Sequence, residues 1–349
     1  MSVATLFCSG VKTLTRPVLA AAIVVGCLST AGLAPAQQTP RQLAEGVLTV
    51  IPPSPEEEEM FSGPRPLTEI PASIDSLDYT PNYEPKSTTL FERAKVGTLR
   101  RTIWNLEFGF KPLRMIDVDV PQANGKMQRK RIWYMVYRVK NNGDHWKPKP
   151  VTEAVVEGIE HTVYQKELTS EVEVFGRKST SLRFFPQFTL HSSEYDKNYL
   201  DRVIPSALGP IRRREFPGTE QKLYDSLSIA EVPIEVSDAT HDRSVWGVVT
   251  WDDVDPRLDY FSVWVQGLTN AYKYDDPAGA FKKGDPPGTG RRLLQKTLQL
   301  NFWRPGDTIE TNEDEIRYGV RLDSNPAEQL RILEQYGLKD RLDYVWIYR

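Results

Sequence analysis

The sequence predicts a mostly-β chain, antiparallel and immunoglobulin-like in character, built as one or more sandwiches with one or two short helices. Three observations predict it. Roughly a dozen short segments alternate apolar and polar residues or are apolar on both faces. Turn pairs such as Asn124-Gly125 and Asn142-Gly143 separate several of them. A capped helical pattern occurs near the end, where Asn325-Pro326 precedes Leu330, Leu333 and Tyr336 on one face and Gly337 as a stop. Eight Trp, 15 Tyr and 13 Phe supply rigid apolar area for a substantial core.

Taken in order, the pattern begins near Thr89. Trp104, Leu106, Phe108 and Phe110 alternate with Asn105, Glu107, Gly109 and Lys111, as in a half-buried strand. After Pro112, Ile116, Val118 and Val120 alternate with Asp117 and Asp119, giving a second strand or a continuation past a kink. Asn124-Gly125 turns the chain into residues 131–139, a hairpin. Both faces of Ile132-Trp133-Tyr134-Met135-Val136-Tyr137 are apolar, as in a central strand, which stops at Asn141-Asn142-Gly143-Asp144. Residues 151–163 read as a strand that is also drawable as a helix, and 171–175 and 181–190 as strands. Residues 193–215, with Pro205, Gly209 and Pro210, read as a short helix and an irregular connection. Strands resume at 230–236, 245–251, 260–268 and 293–303, the last ending in Arg304-Pro305-Gly306-Asp307, and Tyr344-Val345-Trp346-Ile347-Tyr348 closes the chain as a strand. Each of Trp133, Tyr137, Trp246 and Trp264 is expected in the core, because each lies within a predicted strand, as Trp133 and Tyr137 do on either side of Met135.

An aromatic strand running into an Asn-containing turn occurs at 133–142 and again at 260–270, and places a boundary near 220. The expected organisation is a signal peptide over 1–36, a Pro/Glu-rich disordered linker over 37–88, a sandwich over 89–220 and a second over 221–349. Lys12 and Arg16 precede the apolar residues 18–28, and Ala34-Pro35-Ala36 satisfies the small-x-small cleavage rule. Cleavage there leaves a chain beginning at Gln37 without either cysteine, Cys8 or Cys27, and so excludes disulfides and thiol chemistry. Val24-Val25-Gly26-Cys27 offers the alternative of a lipid anchor on Cys27. An uncleaved membrane anchor over 18–34 is a further alternative. The linker carries nine prolines and Glu56-Glu57-Glu58-Glu59.

Candidate sites are sparse. Asp252, Asp253, Asp255 and Asp259 cluster between two strands; the first three are weak calcium ligands, and the same turn is the candidate carboxylate pair of a glycan hydrolase. An Arg257-paired surface turn is the plainer account. Gly284-Asp285-Pro286-Pro287-Gly288-Thr289-Gly290-Arg291-Arg292 lacks the Lys and hydroxyl of a phosphate loop and reads as a surface loop. His145, His161, His191 and His241 have no metal-ligand spacing and read as turn or surface residues. No Gly-x-Ser-x-Gly elbow is present. Lys126 with Arg129-Lys130-Arg131, Arg212-Arg213-Arg214, Lys282-Lys283 and Arg291-Arg292 are basic clusters suited to an anionic envelope polymer.

The run Trp133-Tyr134-Met135-Val136-Tyr137-Arg138-Val139-Lys140-Asn141-Asn142-Gly143-Asp144 resembles the strand-to-turn segment of immunoglobulin-like modules in bacterial exported proteins. Val245-Trp246-Gly247-Val248-Val249-Thr250-Trp251 with Phe261-Ser262-Val263-Trp264-Val265-Gln266-Gly267-Leu268-Thr269-Asn270-Ala271-Tyr272 is similar to an uncharacterised family of exported bacterial proteins, over most of residues 95–349. The resemblance implies fold and export, and no catalytic residue. The expected function is a non-catalytic structural or interaction module of the cell envelope, periplasmic or extracellular, without cofactor, metal or nucleic acid. Its partner is an envelope protein or polymer. The alternatives are a secreted glycan hydrolase and a carbohydrate- or polyanion-binding module.

Overall fold

The computed structural model describes residues 49–65, 97–156, 159–174, 176–286, 288–305 and 316–349. The predicted signal segment, with Cys8 and Cys27, lies outside them. So do residues 37–48 and 66–88 of the linker and the Gly306-Asp307 end of one predicted turn.

Two antiparallel sheets carry the fold. The front sheet joins β1 (Thr49–Ile51), β4 (Glu107–Phe110), β6 (Met127–Lys140) and β13 (Val245–Trp251) in that order, with β5 (Arg114–Pro121) also on β6. The back sheet runs β12 (Lys197–Leu200), β11 (Gln187–Ser192), β14 (Tyr260–Gln266), β16 (Arg292–Trp303) and β15 (Tyr272–Asp275). β17 (Arg317–Tyr318) and β18 (Tyr344–Tyr348) also pair with β16. Three two-stranded ribbons complete the strands described: β2 (Phe61–Arg65) with β3 (Gly97–Arg100), β7 (His145–Val156) with β8 (Ile159–Thr169), and β9 (Val172–Val174) with β10 (Arg177–Ser179).

β6 shows how the sequence sets this arrangement. Its odd residues, Trp133, Met135, Tyr137 and Val139, share one buried cluster with Phe261, Val263, Val265, Leu298, Leu300 and Phe302 of the back sheet. Trp133 meets Phe261 edge to face at 5.4 Å, and Phe110 meets Phe302 at 6.1 Å. Its even residues, Ile132, Tyr134 and Val136, face the other way and pack with Ala207 and Ile211 of helix α2 (Pro205–Glu215). A strand covered on both sides has to be apolar on both faces, as this one is. β4 and β5 follow the same edge of β6, with Lys111 N–H still donating to the Val136 carbonyl at 2.8 Å. They are one strand kinked at Pro112, the second of the two forms the sequence allowed.

On the far face of the back sheet, α3 (Pro326–Gln335) is capped as predicted, the Asn325 side chain accepting from Ala327 N–H at 3.1 Å. It buries Ile332, Leu333 and Tyr336 against Val320, whereas Leu330, assigned to that face from sequence, is 56% exposed.

The boundary near 220 is not a domain boundary. β13 from the second half pairs with β6 of the first, β11 from the first pairs with β14 of the second, and the described residues beyond Leu43 form one compact unit. The similar segments 133–142 and 260–270 are central strands of two different sheets sharing one core. The described part of the linker is structural too. β1 extends the front sheet along β4, Ile51 and Met60 are buried, and the short helix α1 (Glu57–Met60) is a folded turn.

Three local assignments change. Residues 151–163 belong to the ends of β7 and β8, so a reversal replaces the single strand or helix. Residues 230–236 hold a 3-10 turn, Ser228–Glu231, and isolated bridges at Ile234 and Val236 in place of a strand. Trp264 is half-buried on the outer face of the back sheet, stacked on His191 at 4.0 Å with the Arg349 guanidinium 3.6 Å from its ring centre. Trp133, Tyr137 and Trp246 are buried as expected.

Candidate functional site

The kink at Pro112 and the end of α2 together make a cleft. Gly109, Arg138 and Trp246 stand opposite one another across β4, β6 and β13, and Arg114 stands opposite Tyr134 two pleat repeats along β6. All of these lie on the sheet face that α2 covers. The helix stops short of the row at 109–138–246, because its C-cap Phe216 is non-helical, and a cleft of about 610 Å³ remains. That is within the roughly 300–1,000 Å³ of small-molecule sites.

Glu215, on the last turn of α2, is the buried centre. It accepts from the Tyr134 hydroxyl at 2.7 Å and from Arg114 Nη1 at 3.3 Å, and Lys111 Nζ lies 3.6 Å from its other oxygen. Lys111 Nζ also donates to the Glu215 carbonyl at 2.6 Å and sits 4.2 Å from the Phe216 ring centre. A carboxylate at a helix C-terminus is opposed by the helix dipole, so these donors are what hold it there. Burial, reinforced by the Glu215 charge, pushes the Tyr134 phenol far above its ordinary range and keeps it a donor.

Arg138 lies between two acids, 3.1 Å from Asp242 and 3.8 Å from buried Glu107. Partial burial raises the Asp242 carboxyl, but hydrogen bonds from Ser244 and the charges of Arg138 and Lys140 lower it on balance. Phe216 meets Trp246 edge to face at 5.0 Å and forms the apolar wall. Arg214 donates to the Met115 carbonyl at 2.8 Å from the rim, where Thr219, Gln221 and Ser244 add neutral polar groups. The cleft is lined by carboxylates and cations, with the buried Tyr134 phenol bonded to Glu215, and among the described residues no histidine or cysteine lines it. Its groups are tied to one another on rigid elements, which suits holding a ligand in a set orientation.

The residues singled out from sequence lie elsewhere. Asp252 is 3.6 Å from Lys130 and also bonded to Arg202, Asp253 is 2.9 Å from Lys130, and Asp255 is 2.8 Å from both Lys197 and Arg257. Each carboxylate of the weak calcium set faces a cation, and the turn does not line the cleft. Among the described residues no three His, Cys, Asp or Glu side chains converge as a metal site. Several members of the basic clusters are paired with neighbouring acids: Arg131 with Asp117 directly across the strand pair, Lys130 with Asp253, Arg291 with Asp276, and Arg292 with Asp275. Of the four clusters, only the Arg212-Arg213-Arg214 run contributes to the cleft, through Arg214.

His145 corrects the surface assignment of the histidines. It is fully buried where β7 leaves the Asn141–Asp144 turn, with Asn105 N–H directed at its Nδ1 at 3.4 Å. His241 is exposed and His191 half-buried, while the side chain of His161 lies outside the described residues. Lys111 and Glu215, the centre of the cleft, carry no signal in sequence, being an ordinary strand position and the last residue of an arginine-rich helix. Among the described residues no helix is long and apolar enough to cross a membrane. No protein-family model, curated protein or solved structure matches the chain.

Proposed function

We propose that the protein is a non-catalytic interaction module of the cell envelope, exported through its N-terminal segment, with the cleft beside α2 as its ligand-binding face. The observation that carries the reading is the state of Glu215. A general acid or base must exchange a proton with a substrate, whereas this carboxylate is engaged by Tyr134, Arg114 and Lys111 inside the protein. Around it the cleft offers cations, neutral polar groups and an aromatic wall, a lining suited to recognition. Export rests on Lys12, Arg16, the apolar residues 18–28 and Ala34-x-Ala36, and on the resemblance of residues 133–144, 245–251 and 261–272 to exported bacterial proteins.

The test is to incubate the full chain with a panel of envelope polysaccharides and anionic polymers, and to follow retention and chain length together. Retention of intact polymer is the expected result. Release of shortened products would instead establish the hydrolase reading.

A further inference from the structure

The ribbon of β7 and β8 has two unlike edges. Trp146 exchanges both backbone bonds with Ile103, its N–H donating at 2.9 Å and its carbonyl accepting at 2.8 Å, so its backbone groups face away from β8. Residues two apart along a strand face the same way, which puts Pro148 and Pro150 on that outer edge of β7 as well. Neither has an N–H to offer, so this edge is closed to a further strand. The antiparallel register sets Trp146, Pro148 and Pro150 opposite Leu168, Lys166 and Tyr164, whose backbone groups therefore point outward from β8. β8 runs for 11 residues without a proline, and among the described residues it pairs with β7 alone.

The make-up of that open edge fits a second copy of itself. Val151 stands opposite Val163 in the ribbon, and both are half-buried. When two β8 strands run antiparallel with Val163 opposite Val163, one face of the joined sheet carries an unbroken row of valines, Val151 and Val163 from each copy. The central Val163 pair is then of the non-hydrogen-bonded kind, in which side chains come closest. The same register places Lys166 opposite Glu160. A two-stranded ribbon is marginal in water, whereas three or more strands with an apolar face hold together, so joining two ribbons stabilises both. Because proline closes the outer edge of each β7, addition stops at two copies and the interface is isologous. We propose that the protein is a dimer joined by antiparallel pairing of β8 with β8 of a second copy, whatever the cleft binds.

Sedimentation equilibrium and residue-resolved amide hydrogen exchange on the full chain test this. A dimer is expected. The amides of Tyr164 and Lys166 should gain protection as protein concentration rises, while those of Val163 and Gln165, directed at β7, stay unchanged. Lys166→Pro removes an outward N–H opposite Pro148 and is expected to give a folded monomer. Val163→Lys, which sets like charges opposite each other and leaves the backbone intact, is expected to do the same. Thr152→Pro, on the edge already closed, is expected to remain a dimer. A monomer at every concentration overturns the proposal, as does a dimer that survives either Lys166→Pro or Val163→Lys. Protection that rises equally at neighbouring residues of β8 overturns the edge pairing, and assembly beyond two copies overturns the closure by Pro148 and Pro150.

Discussion

Glu59 and Lys296, 237 residues apart, form an ion pair at 2.5 Å with side chains 0% and 3% exposed. The pair joins α1, in the Pro/Glu-rich leader, to the middle of β16. The Tyr348 hydroxyl also donates to Glu59, and Arg101 Nε donates to the Glu59 carbonyl at 2.7 Å.

Removing one member of such a pair strands the other charge away from water. Glu59→Gln is therefore expected to cost about 3–5 kcal/mol, and a Glu59→Leu, Lys296→Met double variant considerably less. Urea unfolding midpoints check both. A chain beginning at Lys86 also lacks Ile51 and Met60 from the interior, and is expected to melt well below the full chain, contrary to what the leader's composition alone suggests.

His145 sets a pH window. Burial, opposed by the Asp144 charge, holds its imidazole down to about 4 from the ordinary 6.5. The unfolded chain takes up a proton below pH 6.5 while the folded chain refuses it until about 4. The stability is fully present above pH 6.5 and is lost as pH falls between those values. The loss amounts to about 3 kcal/mol, and His145→Gln is expected to flatten that stretch of a stability-versus-pH curve.

Trp133 and Trp264 separate core from surface. Trp133→Ala empties a site filled against Phe261 and is expected to cost about 3–5 kcal/mol. Trp264→Ala loses a half-exposed stack with His191 and Arg349, worth about 1 kcal/mol. Parallel denaturation curves of the two variants check the ranking, and equal losses would contradict it.

The aspartate turn is expected to behave as a turn. Calcium or EGTA should leave Tm unchanged, since Asp252, Asp253 and Asp255 face cations. Asp253 has φ +54°, so Asp253→Gly is expected to be close to neutral and Asp253→Val to cost about 1–2 kcal/mol by strain. Differential scanning calorimetry with and without the metal reads both effects.

Period-two patterning located β6, β13, β14 and β16 because their faces are buried in regular alternation or on both sides, and residue type records that directly. It missed β1 and α1, where Val50, Ile51 and Met60 among prolines and glutamates are too few to form a pattern, and where the decisive contact is a charge pair with β16. It also split the chain at 220, since strand chemistry tells which residues pair but not with whom. The Asp252–Asp255 turn was conspicuous as a cluster in one dimension. The cleft escaped notice because Lys111, Arg138, Glu215 and Trp246 meet only after four separate segments converge, and because Glu215 is defined by its partners and not by its neighbours in sequence.

The weaving of the sheets has a consequence for biogenesis. β6 emerges from the ribosome more than a hundred residues ahead of its partner β13, and β16, which pairs with four other strands, comes later still. The last strand, β18, supplies the Tyr348 that reaches back to Glu59, 289 residues away. With contacts this distant, the interior closes only once residues as late as Tyr348 have been made, and the apolar faces of the early strands stay open until then. Such a chain folds slowly and keeps apolar surface open for a long interval, during which association with other chains competes with closing the interior.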